Sequence, residues 1–416
     1  MTAESVSAVD LSGISVLLMR CASAGGTAGA EGAAGAPDGA PNVTPALFDL
    51  RYEGGTIRDI GALEPRPGER VVDLNGAYLC AGLVDAHVHV ALGGPVAANA
   101  AAHLAHGVTA VRDLGGCFDP ASVGRGEGRL REGRGPPAGE LPRVVSSLAA
   151  LTRRGHYGAF LGVALGPADD PAEAVRERVA AGAAVVKVIL TGSVDLERGT
   201  ATSAHFSFAE LRSMVGVAHD LGVAVAVHAN GAEAVRTAAE AGADSIEHGI
   251  LIDEDAVRAM VDHDVVWVPT LTPLHALACR GESGGEAGGR RTSLPRIITE
   301  HEAMVAAARA AGVRVAAGTD GGSPGVPHGA LLAEVAHLRS AGFSPAEART
   351  AACAVGADLL GLGGGYGGLS VGAVTDLVWF EQDPFVDSML DRSRAFRPLG
   401  VLPEPGSTPS AAPGSS

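Results

Sequence analysis

One theme repeats through the middle of this chain: short apolar runs alternate with Ala-rich amphipathic stretches at the spacing of βα units. Eight runs read as strands: Leu83–His89, Gly107–Asp113, Arg143–Ala149, Ala184–Leu190, Val223–His228, Ser245–His248, Val265–Thr270 and Val313–Thr319. Helical stretches follow them, among them Pro171–Ala181, Phe208–Asp220, Ala232–Ala241, Asp255–Asp262, Thr299–Ala311 and Gly329–Ala341. Several end in a pair such as Ala181-Gly182, Leu221-Gly222, Ala241-Gly242 or Ala311-Gly312, with glycine where a helix C-cap needs a left-handed residue. Most strand runs are continuously apolar rather than alternating, as in a parallel sheet buried on both faces. With 46 % hydrophobic residues, 4 % aromatics and 59 glycines, the core is built from Ala, Val and Leu, which suits close helix-on-strand packing. The expected fold is α/β, a (β/α)8 TIM-like barrel, whose functional residues belong at the C-terminal ends of the strands.

The two ends read differently. Residues 1–80 hold short strand-like runs, Ile14–Met19, Leu47–Tyr52 and Val71–Leu74, around a flexible Ala/Gly-rich insert at about 22–45. The barrel is expected over 81–362, with a polar, Gly-rich excursion from Arg280 to Arg291 after strand 7. Strand-like sequence returns in GGLSVGAVTDLVWF, and residues 401–416, rich in Pro and Ser, form an expected disordered tail.

Charge and cysteine usage narrow the function. Lys plus Arg number 31 against 47 Asp plus Glu, a net charge of −16, which repels phosphate backbones and predicts no nucleic-acid partner. No stretch reaches the ~20 apolar residues of a membrane span, and the start, MTAESVSAVDLSG, has no basic n-region, so neither membrane nor signal peptide is expected. The five cysteines are scattered and form no CxxC pair, which predicts reduced thiols in a cytoplasmic protein.

Polar residues at the ends of the apolar runs are the anomaly. Strand 1 ends in Asp85-Ala86-His87-Val88-His89, and histidines at i and i+2 share one side of a strand. Strand 4 carries Lys187 inside AAVVKVIL. An unpaired buried ammonium costs on the order of 5 kcal/mol, so Lys187 must deprotonate, pair, be modified, or snorkel to the barrel mouth. Strands 5 and 6 end in His228 and His248; strand 8 ends at Asp320, a mouth-facing carboxylate or the cap of a turn. The paired histidines of strand 1 by themselves favour a metal pair over core histidines, whereas the other residues are singly ordinary. Together, HxH, Lys, His, His and Asp in strand order form a set of imidazole and carboxylate ligands suited to zinc and similar ions.

With these residues, the sequence resembles the amidohydrolase superfamily, and within it the imidazolonepropionase-like and Xaa-Pro-dipeptidase-like branch. The matching runs are GLVDAHVHV, GVTAVRDLGG, VVKVILTG, VAVHANG, DSIEHG, VPTL and AAGTDGGSPGVPHG. GGLSVGAVTDLVWF resembles the return to a small β-sandwich, which residues 363–400 would build together with residues 1–80. The resemblance implies that His87, His89 and Asp320 bind one divalent ion and His228 and His248 a second. It implies that Lys187 is carboxylated and bridges the two ions, with zinc as the default metal. A water between the ions would have its pKa lowered towards neutrality, and Asp320 would serve as general base and then acid. The implied substrate is small, a dipeptide or N-acyl amino acid whose C–N amide bond is cleaved.

Substrate candidates are His156 and Tyr157 in RRGHYG after strand 3, Asn230, and His328 after strand 8, with Arg153 and Arg154 as receptors of a substrate carboxylate. His205 and His275 are expected in loops after strands 4 and 7. Asp85 and Asp113 either orient a ligand histidine or cap a loop, and Arg112 reads as structural. Two departures from the dipeptidase-like pattern stand out. His228-Ala229-Asn230 replaces His-Ala-Tyr, and Arg154-Gly155 replaces the Gly-Gly before His156, so prolidase specificity is not carried over. Alternative readings are a cyclic amide hydrolase of imidazolonepropionase or hydantoinase type, and a non-catalytic barrel used as a scaffold. A homo-oligomer, by frequency a dimer, is the expected assembly.

Overall fold

A computed structural model of the chain describes residues 15–22, 47–116, 141–283, 293–386 and 397–398. Most of the Ala/Gly-rich insert, most of the Arg280–Arg291 excursion and the Pro/Ser-rich tail lie outside the described residues. Near the N-terminus, β1 (Ser15–Cys21), β2 (Phe48–Glu53), β3 (Thr56–Gly61) and β4 (Arg70–Asp73) make a sheet of order β3-β2-β1-β4. It has its own apolar cluster, including Leu50, Ile57, Leu79 and Leu377. Leu377 comes from the other end of the chain.

The centre of the molecule is parallel sheet. One group consists of β6 (Leu83–Val88), β7 (Val108–Asp113) and β8 (Arg143–Ser146), following the short β5 (Tyr78–Ala81). The other contains β9 (Ala150–Arg153), β10 (Gly162–Leu165), β11 (Val185–Ile189), β12 (Ala224–Ala229), β13 (Ser245–His248) and β14 (Val266–Val268), in the order β10-β9-β11-β12-β13-β14. The Ala184 amide donates to the Ser146 carbonyl at 2.9 Å and ties the two groups together. The third expected strand therefore breaks after Ser146 and resumes as β9.

The eighth expected strand, Val313–Thr319, is not a regular strand, and that expectation is corrected. The segment is extended and lies between β14 and β6: Trp267 donates to Arg314 and Ala86 to Ala317, each at 2.9 Å. Its ladder is incomplete because the Ala317 amide turns to the Ala351 carbonyl (3.0 Å). It is also packed too tightly for larger residues. A Cβ at Gly318 would lie 2.4 Å from Val268 Cγ1 and 2.9 Å from His87 Cβ.

Helices cover the parallel strands: α1 (Val96–Ala105), α2 (Pro171–Ala180), α3 (Phe208–Asp220), α4 (Ala232–Ala241), α5 (Glu254–Asp262), α6 (Leu271–Ser283), α7 (Leu294–Ala310) and α8 (Leu331–Ser340). Gly182, Gly222, Gly242 and Gly312 have φ of 98, 71, 92 and 91°, the left-handed geometry expected at these helix ends. At the far end, β15 (Leu377–Phe380) pairs antiparallel with β5, with Leu377 opposite Ala81. No helix of the described residues is long and apolar enough to cross a membrane.

Candidate metal centre

The polar strand-end residues converge. His87 lies on β6, with His89 just beyond it. Lys187 is on β11, His228 on β12 and His248 at the end of β13, while Asp320 follows the extended segment 313–319. His89 Nε2 is 3.1 Å and His87 Nε2 3.7 Å from Asp320 Oδ1. One ligand atom from each of these three residues lies within 4.8 Å of the others. The imidazoles form a continuous row: ring centroids are 5.3 Å apart for His87 and His89, 4.9 Å for His87 and His248, and 4.5 Å for His248 and His228.

Local backbone helps to aim them. His248, Thr270 and Asp320, at three neighbouring strand ends, have φ of 68, 48 and 56°. Left-handed backbone at a non-glycine residue costs of order 1–3 kcal/mol, more for a β-branched threonine, and persists where the surrounding structure enforces it.

The hydrogen bonds fix which nitrogens face the centre. His87 Nδ1 is 2.7 Å from Glu247 Oε2, and His89 Nδ1 is 3.0 Å from the Gly115 carbonyl. Both partners accept, so Nδ1 carries the proton and Nε2 presents a lone pair. His248 Nδ1 is held by Thr270 Oγ1 at 2.7 Å. His228 Nε2 sits 3.3 Å from the Gly192 carbonyl and 3.2 Å from the Asn230 amide.

Two buried polar atoms in this group, His87 Nε2 and Lys187 Nζ, have no hydrogen-bond partner. Such orphans are rare and call for a polar or charged neighbour. Burial pulls the Lys187 ammonium down to about 8, against the charges of Glu247 and Asp320. Burial, reinforced by Lys187, lowers His87 well below the usual imidazole range and His228 to about 3.

Behind the ligands lies a charged frame. Glu247, fully buried, pairs through Oε1 with Arg112 Nη2 at 2.7 Å while Oε2 meets His87. Arg112 also donates to the Ala86 carbonyl (2.7 Å) and to Ser245 Oγ (2.9 Å). Arg112 thus supports His87 through Glu247. Sequence reading did not single out Glu247. The available signal was a carboxylate inside the apolar run DSIEHG, the same anomaly that marked Lys187. Asp85 accepts from the amides of His87 (3.3 Å) and Thr319 (2.9 Å) and from Thr319 Oγ1 (2.7 Å). Asp113 accepts from Val90 N (2.9 Å) and Ser146 Oγ (2.7 Å). Both brace backbone rather than an imidazole, and burial pushes them up to about 7 and about 6.

The substrate candidates divide. The Tyr157 ring lies 5.5 Å from His228, with Phe160 5.7 Å beyond it. His156 is exposed and its ring is 4.3 Å from that of His205. Asn230 is buried: its Oδ1 accepts from Ile250 N at 3.0 Å and its amide meets the Gly192 carbonyl. Both His328 nitrogens face protein groups, His103 at 3.1 Å and the Leu92 carbonyl at 2.9 Å. Arg153 is ion-paired to Glu210 on α3 and lies over the Phe206 ring. His275 is on α6, not in a loop, and pairs with Glu302 at 2.9 Å.

Comparison with known proteins supplies the family. Residues 78–402 match the model of the amidohydrolase family. An uncharacterized protein of Mycobacterium tuberculosis is 31 % identical over 350 residues, covering 80 % of this chain and 89 % of that one. Ochratoxinase of Aspergillus niger is 31 % identical over 254 residues, covering 60 % of this chain and 51 % of its own length. Among solved structures, a Xaa-Pro dipeptidase with methionine in its active site superposes with a TM-score of 0.73 at 23 % identity, over 94 % of this chain and all (100 %) of that chain. Taken with the strand-end ligand set, the match makes this chain a member of the amidohydrolase family, a hydrolase of carbon–nitrogen bonds.

Proposed function

We propose that residues 81–362 close into a (β/α)8 barrel beside a small β-sandwich drawn from 1–80 and 363–400, and that its mouth is a binuclear metal centre. There it hydrolyses the amide bond of a dipeptide or N-acyl amino acid. The pair of buried orphans, His87 Nε2 and Lys187 Nζ, carries this reading, because metal ions answer both at once. The donor set, four imidazoles, a carboxylate and a modifiable amine, suits zinc. His87, His89 and Asp320 would hold one ion, His228 and His248 the other.

Lys187 Nζ, once unprotonated, would attack carbon dioxide, forming a C–N bond and releasing a proton, and the resulting carbamate would offer its oxygens to the ions. This converts a buried cation into an anionic ligand. The bound ions supply Lewis acidity that activates water and polarises the scissile carbonyl. Asp320 takes the proton of the attacking water and passes it to the departing nitrogen as the C–N bond breaks. His156, exposed at the mouth, receives the substrate carboxylate, a role from which Arg153 is withdrawn by Glu210.

The test is reconstitution of stripped protein with zinc, with and without bicarbonate, followed by assay on dipeptides and N-acyl amino acids beside cyclic imides and lactams. Two zinc ions per chain, bicarbonate dependence and turnover of linear amides are expected. Lys187→Ala is expected to lose metal and about 10³-fold or more in kcat. Full metal content and full rate in that variant would remove the binuclear reading, and turnover of cyclic substrates alone would reassign the reaction.

A further inference from the structure

We propose that the hydroxyl of Tyr157 donates a hydrogen bond to the substrate's carbonyl oxygen as that oxygen becomes the tetrahedral oxyanion, which makes Tyr157 a catalytic residue. The inference rests on the amide-hydrolase reading above and specifies which side chain works opposite the metal ligands.

Placement is the first observation. Tyr157 comes from the segment between β9 and β10, yet its ring reaches to 5.5 Å from that of His228 on β12. The segment is tied down along its length. Thr152 Oγ1 donates to the Tyr157 carbonyl at 2.6 Å, His156 N to the Arg153 carbonyl at 3.1 Å, and Leu161 N to the Gly158 carbonyl at 2.9 Å. Gly116 N closes onto the Leu161 carbonyl at 2.8 Å. Gly158 has φ +92°, and a Cβ there would meet Ile189 Cγ1 at 2.9 Å. Only glycine lets the segment lie flat on Ile189, which shares a face of β11 with Lys187 two residues earlier. The phenol is therefore held over the ligand row by fixed backbone, as preorganised catalysis requires.

Availability is the second. A part-exposed hydroxyl is open to a partner from solution, and Tyr157 is 38 % exposed. Among the described residues that of Tyr157 makes no hydrogen bond, although its carbonyl does. An ordinary phenol is protonated at neutral pH and can give its hydrogen to an electron-rich oxygen. Three other polar side chains near the mouth are committed. Asn230, two residues after His228, is bound to Ile250 N and the Gly192 carbonyl; His328 to His103 and Leu92; Arg153 to Glu210. The end of β12 thus offers no spare donor, and the β9–β10 segment supplies one.

The test compares wild type, Tyr157→Phe and Tyr157→Ala, all loaded with zinc and bicarbonate, on N-acetyl amino acids. Tyr157→Phe keeps the ring and should keep the zinc content and KM within about threefold, while kcat falls by about 10²-fold, the usual cost of one oxyanion donor. A second readout is inhibition by the N-methylphosphonate of the amino acid assayed, a tetrahedral mimic of the type held, as its proline derivative, by a solved prolidase that this chain resembles in fold. Its affinity should fall in step with kcat/KM in Tyr157→Phe, because interactions specific to the transition state weaken its mimics equally. Unchanged kcat and unchanged phosphonate affinity in Tyr157→Phe would overturn the proposal. If zinc-loaded wild type hydrolyses no amide, the hydrolase reading fails separately. The phosphonate then still decides: binding by wild type but not by Tyr157→Phe upholds the donor, and equal or absent binding by both overturns it.

Discussion

At the scale of single residues, the informative ones are charges inside apolar strands. Lys187 is marked by its neighbours along the chain, because an ammonium in AAVVKVIL has no local partner. Glu247 and Arg112 obey the same rule but are satisfied by each other, 2.7 Å apart and fully buried, and their partnership joins β13 to β7. No local pattern shows it. The carboxylate between Arg112 and His87 fixes the proton on His87 Nδ1 and leaves Nε2 for the proposed metal; such partners typically contribute about 10- to 100-fold in metal affinity. Glu247→Gln should therefore weaken zinc binding by about that factor. It should also destabilise the fold by about 3–5 kcal/mol, because Arg112 is left buried without its counter-charge. Zinc titration and urea unfolding of the variant measure the two effects, and an unchanged zinc affinity would reduce Glu247 to a packing role.

At the scale of elements, strands and helices with strong periodicity were legible and those held by distant groups were not. Ser245–His248 matches its expected bounds, and α4 spans Ala232–Ala241 as read. Helix α6 was missed, since the reading after strand 7 was a loop. Its start is capped from far away: Glu334 on α8 accepts from the amides of Leu271 (2.9 Å) and Thr272 (2.8 Å), although α8 lies well downstream in the chain. The expected eighth strand fails for a similar reason, with one amide turned to Ala351. The glycine stops were read correctly because backbone sterics are local. Gly312 has φ +91° and open space around its Cβ position, so Gly312→Ala isolates the left-handed penalty, expected at about 1 kcal/mol. Thermal unfolding checks it, and a stabilised variant would mean that unfolded-state entropy dominates.

At the scale of the whole molecule, the proposed barrel concentrates buried imidazoles that are kept neutral. Burial lowers His103 and His228 to about 3 and His301 to about 4, while the unfolded chain binds protons near 6.5. For depressed values the stabilisation is present above 6.5 and is lost as pH falls towards 3. The raised carboxyls of Asp85 and Asp113 act in the opposite sense over the same window, so the histidine effect is read by difference: between about pH 7 and about pH 4.5 the zinc-free wild type should lose more of its urea midpoint than zinc-free His301→Gln. At about pH 7, zinc at roughly a thousandfold excess over its Kd should add about 4 kcal/mol. Equal melting temperatures with and without chelator would speak against a metal held by the folded state.

The α/β class, the alternation of parallel strands and covering helices, and the order of polar strand-end residues HxH, Lys, His, His, Asp were all legible in the amino-acid sequence. Periodicity, glycine stops and polar residues at strand ends are local properties written along the chain. The tertiary structure was needed to show which charges satisfy one another, which nitrogens of His87 and His89 face inward, and that a phenol from the β9–β10 segment reaches over β12. These depend on side chains far apart in sequence whose spacing is set by sheet register and packing.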